Sequence, residues 1–196
     1  MMAEDLVNHT TGNGWFIAQH RWQAHRNENS WETFLAWRFY YQIIANANMI
    51  IKYIDDATGP TRDKEFIKGQ ALAYRAWSYH QLVQIYAKRY DWNNKPNVQL
   101  GVPLVLEPTT EGLPRETVEK VYEQINADLT QAAALLEGKT ITHQTTSPKS
   151  HITRQIALGL HARVALTQGD WAKAAQLANQ ARAGRPLMNQ AQLLDG

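Results

Sequence analysis

The stretch Trp31-Glu-Thr-Phe-Leu-Ala-Trp-Arg-Phe-Tyr-Tyr-Gln-Ile-Ile-Ala-Asn-Ala-Asn-Met-Ile-Ile-Lys-Tyr-Ile-Asp-Asp-Ala-Thr-Gly-Pro60 decides the fold. Trp37, Tyr41, Ile44, Asn48, Ile51 and Asp55 recur at steps of three and four, and Tyr40, Ala47 and Ile54 widen the same stripe, which is the period of an amphipathic helix. Ser30 is placed to cap its start. Gly59-Pro60 stops it, because glycine accepts left-handed angles and proline cannot extend the hydrogen-bond ladder.

Working outward from that helix, the spacing predicts a second one over about Arg62 to Tyr90, with Leu72, Ala76, Tyr79, Val83 and Tyr86 on one face. The tight turn between the two makes them antiparallel. From Asp91 to Arg115 the composition turns to Asn, Pro and Gly, giving one long loop in which Val102-Pro103-Leu104-Val105-Leu106 lies extended. Val118, Val121, Tyr122, Ile125, Leu129, Ala132 and Leu136 predict a third helix, capped by Thr117, carrying Glu119 near its positive end and terminated by Gly138. A fourth begins near Thr153 with Ile156, Leu160, Val164 and Thr167 on one face and breaks at Gly169. Asp170 caps a fifth, with Trp171, Ala174, Ala175, Ala178 and Ala181 inside it, ending near Gly184-Arg185-Pro186. The last two span about 32 residues, near the roughly 34-residue period of a tetratricopeptide helix pair, with Trp171 as a wedge at the turn. The expected fold is therefore all-α: stacked antiparallel hairpins with tetratricopeptide-like repeats over residues 31–196, after an irregular amino-terminal segment over residues 1–30 rich in Asn, Thr and Gly.

Composition excludes several functions. The formal charge is +2, from 20 Lys plus Arg against 18 Asp plus Glu, and the basic residues are scattered, so no nucleic-acid partner is expected. The chain has no cysteine, hence no disulfide or thiolate metal site, and no run of about 18 apolar residues that would span a membrane. Met1-Met2-Ala3-Glu4-Asp5 does not open a signal peptide. His20 and His25 stand five apart with no supporting carboxylate frame, and no nucleophile elbow or phosphate loop is present, so no metal, no cofactor and no catalytic residue is assigned. The chain is read as not being an enzyme.

Four segments, in order, resemble one known family. Trp37, Tyr41, Ile44, Ala47, Asn48 and Ile51 follow a W-x3-Y-x2-I-x2-A-N-x2-I pattern. Gly69, Ala71, Arg75, Ala76, Tyr79, Leu82, Val83 and Tyr86 follow G-x-A-x3-R-A-x2-Y-x2-L-V-x2-Y, and Gly101-Val102-Pro103-Leu104-Val105 comes after them. Arg115, Val118, Val121, Tyr122, Ile125, Asp128 and Leu129 make the third, and Ile152-Thr153 with Ala157 through Trp171 the fourth. Together they resemble the SusD/RagB family of outer-membrane nutrient-binding lipoproteins over roughly residues 31 to 188. The resemblance implies capture of an oligosaccharide or other nutrient at the bacterial cell surface and delivery to a SusC-like TonB-dependent transporter. The family's lipidated cysteine and its larger carboxy-terminal part are not in these 196 residues, so the chain is read as a truncated amino-terminal part whose membrane attachment would come only through a lipid anchor outside it.

Seven tryptophans supply the flat apolar surface on which sugar rings stack, and amides and guanidinium groups the partners for hydroxyls. Trp15, Trp22, Asn27, Asn29 and Trp31, with Arg21 and Arg26 near, offer that mixture and are the expected glycan-binding residues, although the same tryptophans equally serve to pack the segment. Trp92, in the Asp91-Trp92-Asn93-Asn94 loop, is a further candidate. Trp37, Trp77 and Trp171 sit on helical stripes and read as structural. Arg75 and Asn48, among apolar neighbours, read as buried polar groups bonding backbone or each other. A generic tetratricopeptide scaffold gripping a protein segment is the competing function.

Overall fold

The computed structural model describes residues 30–139 and 151–184. Among them the elements are α1 (Trp31–Tyr53), a 3-10 turn (Ile54–Asp56), α2 (Thr61–Tyr86), α3 (Val118–Leu135), α4 (Arg154–Thr167) and α5 (Trp171–Arg182), with no named strand. The all-α expectation is met. The chain divides into two compact units, residues 1–42 and 43–196. In the first, Ser30 opens α1: its Oγ accepts from the Thr33 N–H at 3.4 Å, and the Trp37 and Tyr41 rings lie 4.8 Å apart.

In the second unit, the end of α1 runs antiparallel to α2. Asp55 accepts from Lys64 through its carbonyl at 2.9 Å and from Lys68 through its carboxylate, while Asn48, two turns earlier, meets Arg75, farther along α2. Phe66, Leu72 and Ala73 of α2 pack with Ala132 and Leu136 at the end of α3 and with Ile152 and Ala157 at the start of α4, and Ile51 closes the cluster. Close approach of α2 and α3 depends on Gly69, where a β-carbon would stand 2.8 Å from Leu136 Cγ.

One buried ion pair organises this core. The Arg75 guanidinium donates two bonds of 2.8 Å to the two Asp128 oxygens, and a third of 2.9 Å to Asn48 Oδ1. The expected contact with Asn48 is present; the structure adds Asp128 as the counter-charge. Asn48 Nδ2 and the Tyr79 hydroxyl both donate to the Val105 carbonyl at 2.8 Å, and the Val105 N–H returns a bond to the hydroxyl. Residues 102–106 form no helix and are held against the helices at Val105 and Leu106, whose backbone groups find side-chain partners where a sheet ladder is missing. The same burial pushes the Tyr79 hydroxyl pKa up and keeps it a donor.

The helices depart from the sequence expectation at three places. α2 ends at Tyr86, not Tyr90: Ala87 is extended, Arg115 donates to the Tyr86 carbonyl at 2.7 Å, and Tyr90 turns inward onto Tyr122. Tertiary partners for the last carbonyl replace another helical turn. On α4 the buried face is Ala157, Leu158, His161, Val164 and Ala165, whereas Ile156 is 43% exposed and Leu160 and Thr167 are half-buried. The apolar period was shifted because His161 is a core residue here, satisfied by Asn126 Oδ1 at 2.9 Å. On α5 only Ala174 is buried; Ala175, Ala178 and Ala181 line an open groove.

Candidate functional site

The turn between α4 and α5 and the loop after α2 meet at one corner of the second unit. Gly169 has φ +72°, and a β-carbon there would stand 2.7 Å from Trp92 Cγ, so both the backbone and the indole lying on it require glycine. Asp170 caps α5, accepting from the Lys173 N–H at 3.0 Å, and that sets Trp171 at the helix start. The Trp92 and Trp171 rings meet edge to face at 6.1 Å, and the Arg89 guanidinium lies 4.7 Å over the Trp92 ring.

The loop bearing Trp92 is held by its own polar groups. Asn97, fully buried, donates its backbone N–H to Glu119 at 2.8 Å and its side-chain amide to the Asp91 carbonyl at 3.0 Å, and accepts from the Asp91 N–H at 2.7 Å. The Tyr90 hydroxyl donates to the other Glu119 oxygen at 3.0 Å. Burial raises the Glu119 pKa, but the bonds from Asn97 and Tyr90 and the charge of Lys95 outweigh it and hold the carboxyl below its usual value. Asp91, fully exposed, is held low by the amides of Asn94 and Asn93. Beyond standing at the positive end of α3, Glu119 anchors this loop. The Lys95–Pro96 peptide is cis.

Between these elements lies a groove of about 600 Å³ with the exposed Trp171 as its aromatic wall, the buried Tyr90 and Tyr122 at its floor, and Gln84, Lys88, Arg89 and Thr167 as polar walls. Behind it, His80 bonds Thr167 at 3.1 Å and Gln84 at 3.2 Å; burial, and then Arg163, lower its pKa to about 4, so the ring is neutral at pH 7. Aromatic faces beside amide, hydroxyl and guanidinium groups are what a pyranose ring requires. A second groove, of about 670 Å³, runs between α4 and α5 over Gly159, Ala162, Leu166, Ala175 and Ala178 and is almost wholly apolar.

Of the six candidate glycan residues, Trp15, Trp22, Asn27 and Asn29 lie outside the described residues. Trp31, in the first unit, is 68% exposed. Trp92, in the second, is 36% exposed and stands beside the groove just described, against Trp171, without lining it. Trp171, read as structural, is 59% exposed and lines both grooves. What would have found it is its position directly after a Gly-Asp turn, where the first helical residue has no preceding turn to cover it. Trp77 is half-buried on α2, and no three His, Asp or Glu among the described residues converge as a metal site.

A family model described as starch-binding, associating with the outer membrane, matches residues 2–166. The chain belongs to this SusD-like family. A SusD-like carbohydrate-binding protein from Bacteroides vulgatus superposes with a TM-score of 0.69 at 29% identity, over 81% of this chain and 33% of that one. A SusD superfamily protein from Bacteroides thetaiotaomicron gives 0.66 at 27%, over 78% and 33% respectively. This SusD-like chain therefore spans about a third of the length of these structures. No curated protein matches it. None of its described helices is long and apolar enough to cross a membrane.

Proposed function

We propose that this SusD-like chain takes part in capturing oligosaccharides at the bacterial outer-membrane surface and passing them to a SusC-like TonB-dependent transporter, by binding and without catalysis. The observation that carries the reading is the match across residues 2–166 to a family of starch-binding proteins that associate with the outer membrane. Attachment through a lipid anchor outside this chain goes with it. Within the second unit we assign a glycan subsite to the groove walled by Trp171 and flanked by Trp92. The mixture of an aromatic face and donors fits a sugar, and the loop's own hydrogen bonds are made without a ligand, which lowers the ordering cost that falls on binding. Trp15, Trp22, Asn27, Asn29 and Trp31 form the proposed amino-terminal contribution.

The test is calorimetric titration of the chain with a panel of oligosaccharides, repeated with Trp92→Ala and Trp171→Ala and, separately, with Trp15, Trp22 and Trp31 changed to alanine. Saturable binding lost in the first pair supports the groove, and loss in the second set supports the amino-terminal segment. A folded chain that binds none of the panel refutes both. One observation favours a second reading, that of a helical scaffold: the apolar α4–α5 groove fits a helix better than a sugar. Ala178→Glu would then abolish protein association while leaving glycan titration unchanged.

A further inference from the structure

The charges around the Trp92 corner are unequally committed. Asp91 spends its carboxylate on the Asn93 N–H at 2.9 Å and the Asn94 amide at 2.7 Å, Glu119 on Asn97 and Tyr90, and Asp170 on the Lys173 N–H. None of these carboxylates lines the groove. Lys88 and Arg89 do line it, both are exposed, and neither forms a salt bridge with a described carboxylate. Arg89 is also oriented in advance, since its guanidinium stacks on the Trp92 indole. A stacked guanidinium keeps its planar edge of N–H donors available, and that edge matches a carboxylate in two parallel bonds.

We infer that the groove selects oligosaccharides carrying a carboxylate, of the hexuronate type, with Arg89 and Lys88 on the acid group and the exposed Trp171 on a ring face. A neutral sugar would fill the same walls but leave both cations in water. This rests on the assignment of the groove as a glycan subsite. It adds the class of sugar.

The probe is a hexagalacturonate compared with its methyl ester, which keeps the rings and removes the charge, titrated calorimetrically into the full chain at low and at high salt. At low salt the acid should bind about tenfold tighter than the ester, the size expected of two exposed charge pairs, and the gap should close as salt rises. In the Lys88→Gln, Arg89→Gln double variant the ratio of the two affinities should fall towards one. Equal binding of acid and ester to the unaltered chain overturns the selectivity and leaves the subsite standing. Binding of neither, by a chain whose circular dichroism shows it folded, overturns the subsite and the selectivity together. A preference for the acid that persists in the double variant also overturns the inference, because the charge would then be read elsewhere.

Discussion

Replacing Asp128 by asparagine should destabilise the second unit more than any other single isosteric change in the core. Arg75 and Asp128 have side chains only 7% and 3% exposed, so bulk water does not solvate the guanidinium once its two parallel bonds lose their charged partner. Asn48 and the Leu106 carbonyl, at 2.9 and 3.4 Å, are neutral acceptors and cannot compensate a cation. Breaking a buried pair from one side typically costs about 3–5 kcal/mol, a large part of the roughly 5–15 kcal/mol available to a domain. For a chain of this length that corresponds to a fall in Tm of about 6–20 °C. The assay is urea unfolding followed by far-ultraviolet circular dichroism, beside the double variant Arg75→Met, Asp128→Leu. The double variant should be less damaged than Asp128→Asn, because hydrophobic replacement of both partners removes the uncompensated charge. A loss below about 1 kcal/mol for Asp128→Asn, or a double variant worse than the single, would refute the reasoning that the charge rather than the shape matters here.

Gly69→Ala should lower stability by about 1–3 kcal/mol in the same unfolding assay, since its β-carbon meets Leu136 at 2.8 Å across the α2–α3 crossing. Gly169→Ala should cost a similar amount and also shift the fluorescence of Trp92, because the added methyl strains a φ of +72° and displaces the indole. His80 and His161 are both held near pKa 4, by burial first and then by Arg163 and Lys173 respectively, against an ordinary value of 6.5. The unfolded chain therefore binds protons that the folded one refuses, so stability is complete above pH 6.5 and falls as the pH drops towards 4, by about 2–3 kcal/mol per histidine; urea midpoints at pH 7 and pH 4.5 measure it, and His80→Gln should flatten the slope. Trp171→Ala should weaken oligosaccharide binding about 5- to 30-fold, read by titration, while changing the urea midpoint little, given its 59% exposure.

Helices were legible wherever an apolar stripe ran against a dominant partner. The stripes of Leu72, Ala76, Tyr79 and Val83 and of Val121, Ile125 and Leu129 are buried as read, and Thr117, Gly138, Gly169 and Asp170 mark boundaries because their chemistry is local. What was not legible depended on partners distant in sequence. The end of α2 is set by Arg115, nearly thirty residues on, and the face of α4 by Asn126, which also accepts from Lys173 at 3.2 Å and donates to Gln168 at 2.9 Å. A histidine counted as polar in a hydrophobic period becomes core once a buried amide meets it. Asp128 was visible as part of a pattern but not as a counter-charge, since its partner lies 53 positions away.

The candidate site follows the same division, and that bears on how a helical hairpin can acquire a binding function. The turn Gly169-Asp170-Trp171 is built from local rules: left-handed glycine, capping aspartate, first helical residue. Those rules leave Trp171 uncovered by its own helix, so the aromatic must be met from outside. The loop after α2 supplies Trp92, and it can do so only because Asn97 and Glu119 satisfy the loop's polar groups without a sheet or a helix. The hairpin fixes the position of one ring while the loop fixes the other, and a change of loop length or composition alters the second without disturbing the first. The groove is thus continuous with the core at Val83, Tyr90 and Tyr122 but shares no residue with the ion pair of Arg75 and Asp128, so its exposed rim at Lys88, Arg89 and Trp171 is the part that can vary at little cost to the helices.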